Sequence, residues 1–114
     1  MAQALRTTKA HERSFERAPR VGAGEVVRRL RDAEKDPGWF FGVAPDGVEG
    51  YFPVSWFSID ATGATARALR DYDAAELTIG AGIPVECLAE EPGWRLVRAQ
   101  DGREGWIPDA CVGS

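Results

Sequence analysis

With 114 residues, 44% hydrophobic and 28% charged, the chain has the composition of an ordinary soluble globular protein. Its net charge is −4; nine Lys/Arg balance nine Asp/Glu over residues 1–60, while residues 61–114 hold five against nine. This balance argues against nucleic acid as the main partner, because phosphate binding needs a basic patch. No stretch approaches the roughly 18 apolar residues of a membrane span, and the N-terminal residues lack the apolar core of a signal peptide, so no membrane association and a cytoplasmic location are expected.

In chain order, residues 1–20 offer only Ala4, Leu5 and Phe15 as strongly apolar markers among many charges. A short strand at Leu5 followed by a long excursion is expected, ended by Pro19 near the Gly22-Ala23-Gly24 turn. Glu25–Leu30 reads as a strand, Arg31–Pro37 as a polar loop and Trp39–Ala44 as a second strand. Pro45-Asp46-Gly47 turns the chain back, Asp-Gly being a strong hairpin signal, and Val48–Phe52 returns as the third strand. Pro53 cannot donate to a ladder, so the strand ends there. A tight turn over Val54–Phe57 and a short strand at Ser58–Asp60 follow. Ala61–Thr65, small and polar, reads as a linker. Strands are then expected at Ala66–Arg70, Pro84–Leu88, Trp94–Ala99 and Glu104–Ile107, with a hairpin at Asp101-Gly102 and a turn after Pro108.

This plan repeats because the sequence does. Residues 37–57, PGWFFGVAPDGVEGYFPVSWF, and residues 92–112, PGWRLVRAQDGREGWIPDACV, align without a gap, with 9 of 21 positions identical. The identities fall on turn residues and one tryptophan rather than on common core aliphatics, which marks an internal duplication. Upstream, Gly22-Ala23-Gly24 matches Gly80-Ala81-Gly82, Leu30 matches Leu88, and Ala4-Leu5-Arg6 matches Ala68-Leu69-Arg70 after two insertions in the first copy. Two copies are too few for a solenoid, whose units bury their faces only on neighbours. About five short strands per copy, with turns between them, define an all-β small barrel.

The motifs resemble those of the SH3 domain. Copy 2 carries Ala68-Leu69-Arg70-Asp71-Tyr72, Glu76-Leu77-Thr78-Ile79, Gly93-Trp94 and Gly102-Arg103-Glu104-Gly105-Trp106-Ile107-Pro108. Copy 1 carries Gly38-Trp39-Phe40 and Gly47-Val48-Glu49-Gly50-Tyr51-Phe52-Pro53-Val54-Ser55-Trp56. Its first loop, Thr7 to Pro19, is similar to that of variant, bacterial-type members. The resemblance implies two SH3-like five-stranded barrels in tandem: residues 1–60, a linker at 61–65, and residues 66–114. It also implies a non-enzymatic module that binds a peptide, proline-rich in the family's usual form, in a shallow aromatic groove, because a preformed polyproline helix loses little entropy on docking. Carried over by position, the groove residues are Phe15, Trp39, Pro53 and Trp56 in copy 1, and Tyr72, Trp94 and Pro108 in copy 2. His11 is a further candidate for the loop side of the first groove. Arg6 and Thr8 stand where copy 1 would have first-strand tyrosines, and copy 2 has Arg70 and Cys111 at tyrosine positions, so copy 1 is the expected binder.

Plainer readings stand beside these. Trp39 and Trp94 could be packed, Pro53 and Pro108 could simply end strands, and Asp73, Glu76, Glu90 and Glu91 read as solvated loop acids. Arg28, Arg29 and Arg31 read as a solvated strand face. His11, with Ser14 nearby but no oxyanion motif or orienting acid, reads as a loop histidine rather than a catalyst. Cys87 reads as a small buried hydrophobe; its spacing from Cys111 signals neither zinc nor a redox motif, and leaves a disulfide between them open. No metal, cofactor or catalytic group is indicated. The alternative function is a structural, assembly or regulatory subunit that packs or dimerises through its barrels without binding peptide.

Overall fold

A computed structural model describes residues 3–14, 17–33 and 37–113. Among these the regular structure is strand and 3-10 turn only, so the chain is all-β. The strands are β1 (Gln3–Thr7), β2 (Arg20–Val21), β3 (Val26–Asp32), β4 (Trp39–Val43), β5 (Glu49–Pro53), β6 (Phe57–Ile59), β7 (Thr65–Ala68), β8 (Tyr72–Asp73), β9 (Pro84–Glu91), β10 (Trp94–Ala99), β11 (Glu104–Pro108) and β12 (Val112–Gly113). The hairpins expected at Asp46-Gly47 and Asp101-Gly102 form, and Pro53 and Pro108 each end a strand before a 3-10 turn.

Pairing is not consecutive along the chain. One five-stranded sheet runs β11-β10-β9-β1-β12 and the other β5-β4-β3-β7-β6, while β2 and β8 form a two-stranded ribbon. Strand β1 therefore lies between β9 and β12, and β7 between β3 and β6. The compact units follow: Arg17–Ala74 is one, and Met1–Glu16 joined by Ala75–Ser114 is the other. These contiguous and split units differ from the expected division into 1–60 and 66–114, because β1 lies in the sheet of β9–β12 and β7 in the sheet of β3–β6.

Ala61–Thr65 accordingly does not link domains. It is the tip of a hairpin between β6 and β7, neighbours in one sheet. Asp60 N–H donates to the Thr65 carbonyl at 3.0 Å and Gly63 N–H to the Asp60 carbonyl at 3.0 Å. The Asp60 carboxylate accepts the hydroxyls of Thr62 and Thr65, each at 2.9 Å. Gly63 takes φ +78°, which a residue with a side chain rarely adopts. A Thr/Gly/Ala stretch that composition marks as loose is thus a turn closed by an aspartate.

The two sheets are built on one register. Trp39 pairs with Pro53 and Trp94 with Pro108; Val27 pairs with Ala66 and Val85 with Leu5; Phe57 pairs with Ala68 and Val112 with Thr7. A bulge interrupts β3 against β4 at Leu30, and β9 against β10 at Leu88. By these pairings Thr65-Ala66-Arg67, not Ala68-Leu69-Arg70, lies where Ala4-Leu5-Arg6 lies in the other sheet.

Volume explains why the first strands are exchanged. In the contiguous unit the core is aromatic: Phe40 stacks on Phe52 with centroids 5.3 Å apart, and Phe57 stands edge-on to both at 5.4 Å. The strand closing it brings only Ala66 and Ala68, both buried. In the split unit the corresponding core is aliphatic, with Val85, Val97, Ile107 and Val112, and its closing strand brings Leu5 and Thr7. Consecutive pairing would crowd Leu5 and Thr7 against three phenylalanines, at about 1–3 kcal/mol for overpacking. It would also leave the alanines beside Ile107 and Val112, where losing a leucine side chain costs about 2–5 kcal/mol. Both errors disappear in the exchanged arrangement.

Candidate functional site

In the contiguous unit, the end of the sheet at Pro53 gathers the aromatic residues. Tyr72 reaches them from β8, which pairs with β2. Its ring stands edge-on to Trp56 at 5.5 Å and tilts against Phe52 at 5.6 Å, and its hydroxyl donates to the Tyr51 carbonyl at 2.8 Å. The Arg70 guanidinium lies over Trp56, 3.8 Å from the ring centroid, a cation–π contact. Trp39 pairs with Pro53 across β4 and β5. The structure thus brings Trp39, Pro53, Trp56 and Tyr72 into one unit, although Tyr72 was expected in the other. It also closes them off: Trp39 and Trp56 are each 6% exposed and Tyr72 4%, with Pro53 fully buried. Phe15 lies outside the described residues.

The split unit builds the corresponding place from different residues. His11 bridges to Ile79 in antiparallel sense, as Tyr72 pairs with Val21. Here the imidazole stands edge-on to Trp94, with ring centroids 6.0 Å apart. Its Nε2 lies 2.8 Å from Glu76 Oε1, with both side chains 13% exposed. The same oxygen accepts Ser14 Oγ–H at 3.0 Å and the Ser14 N–H at 3.2 Å, while the Arg13 N–H donates to Thr78 Oγ1 at 3.0 Å. Glu76 is therefore a largely buried clasp for the first loop, not a solvated acid. Ser14 bonds the carboxylate rather than the imidazole, so these three residues do not form a nucleophile–base relay.

Trp94 and its register partner Pro108 both keep partial exposure, unlike Trp39 and Pro53. Carboxylates flank them. Glu91 pairs with Trp94 across the β9–β10 hairpin, and Asp109 follows Pro108. Arg95 joins Glu90 at 2.8 Å and Asp109 at 3.0 Å. Although desolvation alone would lower its pKa, the Cys87 contact and these carboxylates hold the guanidinium above its ordinary value. Cys111 takes the place of Trp56; it and Cys87 are free and buried in the aliphatic core.

Two features of the structure are not legible in the sequence. His11 is the counterpart of Tyr72, a correspondence hidden by the Ala-Leu-Arg match. Arg29 is not part of a solvated face: it donates to the Gly63 carbonyl at 3.2 Å, pairs with Asp32, and buries its Nε without a partner. Among the described residues, no three His, Cys, Asp or Glu side chains are grouped to hold a metal ion.

Residues 66–112 match the bacterial SH3 domain family, over less than half of the chain. The matched stretch begins with Ala66–Ala68 of β7, which sits in the contiguous unit, and continues through β9–β12 of the split unit. SH3 domains are generally non-catalytic protein-interaction modules. No curated protein and no solved structure matches the chain.

Proposed function

We propose that this chain is a non-enzymatic protein-interaction module made of two SH3-like barrels with exchanged first strands, and that its split unit binds an extended peptide. The observation that carries this reading is the partial exposure of Trp94 beside Pro108 and His11, against the burial of Trp39, Pro53, Trp56 and Tyr72. Flat rings beside a proline suit a polyproline segment. The split unit holds nine Asp/Glu against six Lys/Arg, which favours a ligand carrying Arg or Lys beside its prolines. Copy 1, the expected binder, becomes the less accessible site, and its aromatic cluster takes a structural role. The shallow surface predicts weak binding.

The test is an amide NMR titration of the labelled protein with proline-rich peptides carrying a terminal arginine, repeated on Trp94→Ala. Shifts at Trp94, Asp109 and His11 that vanish in the variant support the reading, provided the signals of residues 17–74 keep their positions. Shifts at Trp39 and Tyr72 instead would return the site to the contiguous unit. No shifts at saturating peptide would favour a structural subunit.

A further inference from the structure

We propose that two copies of this chain associate by trading residues 3–14, each copy's segment completing the other copy's Ala75–Ser114.

The segment is bound as a ligand is bound, through contacts remote in sequence. Strand β1 pairs with β9 from Gln3↔Cys87 to Arg6↔Pro84, and with β12 at Arg6↔Gly113 and Thr7↔Val112. Thr7 Oγ1–H donates to the Gly80 carbonyl at 2.8 Å, and the Thr7 Oγ1 oxygen accepts the Ile83 N–H at 2.8 Å. Arg6 reaches the Gly82 carbonyl at 2.6 Å, Thr8 N–H donates to the Cys111 carbonyl at 2.8 Å, and Glu76 clasps His11 and Ser14. Every one of these contacts is remade unchanged if the segment comes from a second copy, which is why domain swapping is a low-cost route to dimers.

The connectivity leaves the segment free to go. Arg17–Ala74 is one continuous stretch whose sheet is complete without β1. Departure of β1 opens two strand edges at once, because it lies between β9 and β12. Unpaired edges recruit another strand. The other first strand of the chain does not serve: Thr65–Ala68 is held to β6 by the Asp60 hairpin, and offers alanines where the aliphatic core takes Leu5 and Thr7. The matching occupant is residues 3–14 of another copy. Within one molecule a short tether gives an effective concentration on the order of mM, so exchange is favoured by unfolding and refolding at high protein concentration.

The experiment uses the full chain. Ala4 and Glu86 are register partners and both are exposed. Isotope-labelled Ala4→Cys and unlabelled Glu86→Cys chains are mixed in urea, refolded at about 1 mM, near that effective value, and at about 10 µM, far below it, then oxidised and mapped by mass spectrometry. At the higher concentration we expect a disulfide between positions 4 and 86 joining a labelled to an unlabelled chain, at least tenfold more abundant than at the lower one. It should also exceed by tenfold the link formed when Glu104→Cys, exposed on a strand that β1 does not pair with, replaces Glu86→Cys. No mixed-mass link at either concentration, or equal links to positions 86 and 104, overturns the proposal. A single chain carrying both Ala4→Cys and Glu86→Cys should close on itself when refolded dilute; failure to close would overturn the register on which the exchange rests.

Discussion

The Tyr72 hydroxyl donates to the backbone carbonyl of Tyr51 at 2.8 Å, from a stretch whose motif belongs to the second copy of the repeat to a strand of the first. That bond, with the Tyr72 ring against Trp56, Phe52 and Phe57, ties β8 to the contiguous unit. Tyr72→Phe removes the bond alone and should cost about 0.5–1.5 kcal/mol. Tyr72→Ala opens the aromatic core and should cost about 3–5 kcal/mol. Urea denaturation gives the magnitudes, and amide shifts locate them: changes should concentrate in residues 17–74. Changes concentrated in residues 84–113 would contradict the exchanged pairing.

The two closing strands should respond oppositely to volume. Ala66→Leu inserts bulk beside the phenylalanine cluster and should destabilise by about 1–3 kcal/mol. Leu5→Ala empties the aliphatic core and should cost about 2–5 kcal/mol. Hydrogen exchange tells them apart, since Leu5→Ala should deprotect β9 and β12 first while Ala66→Leu deprotects β3 and β6. The reverse pattern would restore the consecutive domains.

Glu76 receives His11 and two donors of Ser14 on one oxygen. Glu76→Ala leaves the largely buried His11 ring nitrogen without this partner, at about 1–3 kcal/mol, while the exposed Ser14 donors turn to water. Its second signature is local: amides 11–14 should exchange with solvent faster while β4 and β5 stay protected.

Hydrogen bonds from the Thr62 and Thr65 hydroxyls hold the Asp60 carboxyl below its ordinary value of 3.8, and the Arg103 N–H and guanidinium do the same for Asp101. A carboxylate with a lowered folded pKa adds stability above its unfolded pKa and loses it as pH falls through the folded one. Acid should therefore weaken the protein progressively below about pH 4, near the unfolded Asp value. Asp60→Asn should show a smaller difference in urea midpoint between about pH 5 and about pH 2.5 than the parent protein. An unchanged difference would remove Asp60 from the acid response.

Much of this architecture is legible from residue order. The Asp-Gly hairpins, the strand-ending Pro53 and Pro108, and the tryptophans that begin β4 and β10 are local: each rests on backbone conformations that Gly, Asp and Pro favour or forbid within a few residues. The repeat of motifs between residues 37–57 and 92–112 is legible for the same reason, since most of its identities are turn residues. What local chemistry does not carry is which strand closes which sheet. Leu5 and Ala66 are both acceptable strand residues, and only the volumes left by Ile107 and Val112 in one core, and by Phe52 and Phe57 in the other, distinguish them. The meaning of Ala61–Thr65 changed with that choice, from linker to hairpin. So did the neighbours of Tyr72, Glu76 and His11, whose partners lie 21 to 65 residues away. Accessibility, likewise, is set by the assembled neighbours of Trp39 and Trp94, which stand in identical Pro-Gly-Trp motifs yet end with different exposure. Short-range backbone preference determined the elements; complementarity of side-chain volume in three dimensions decided their partners.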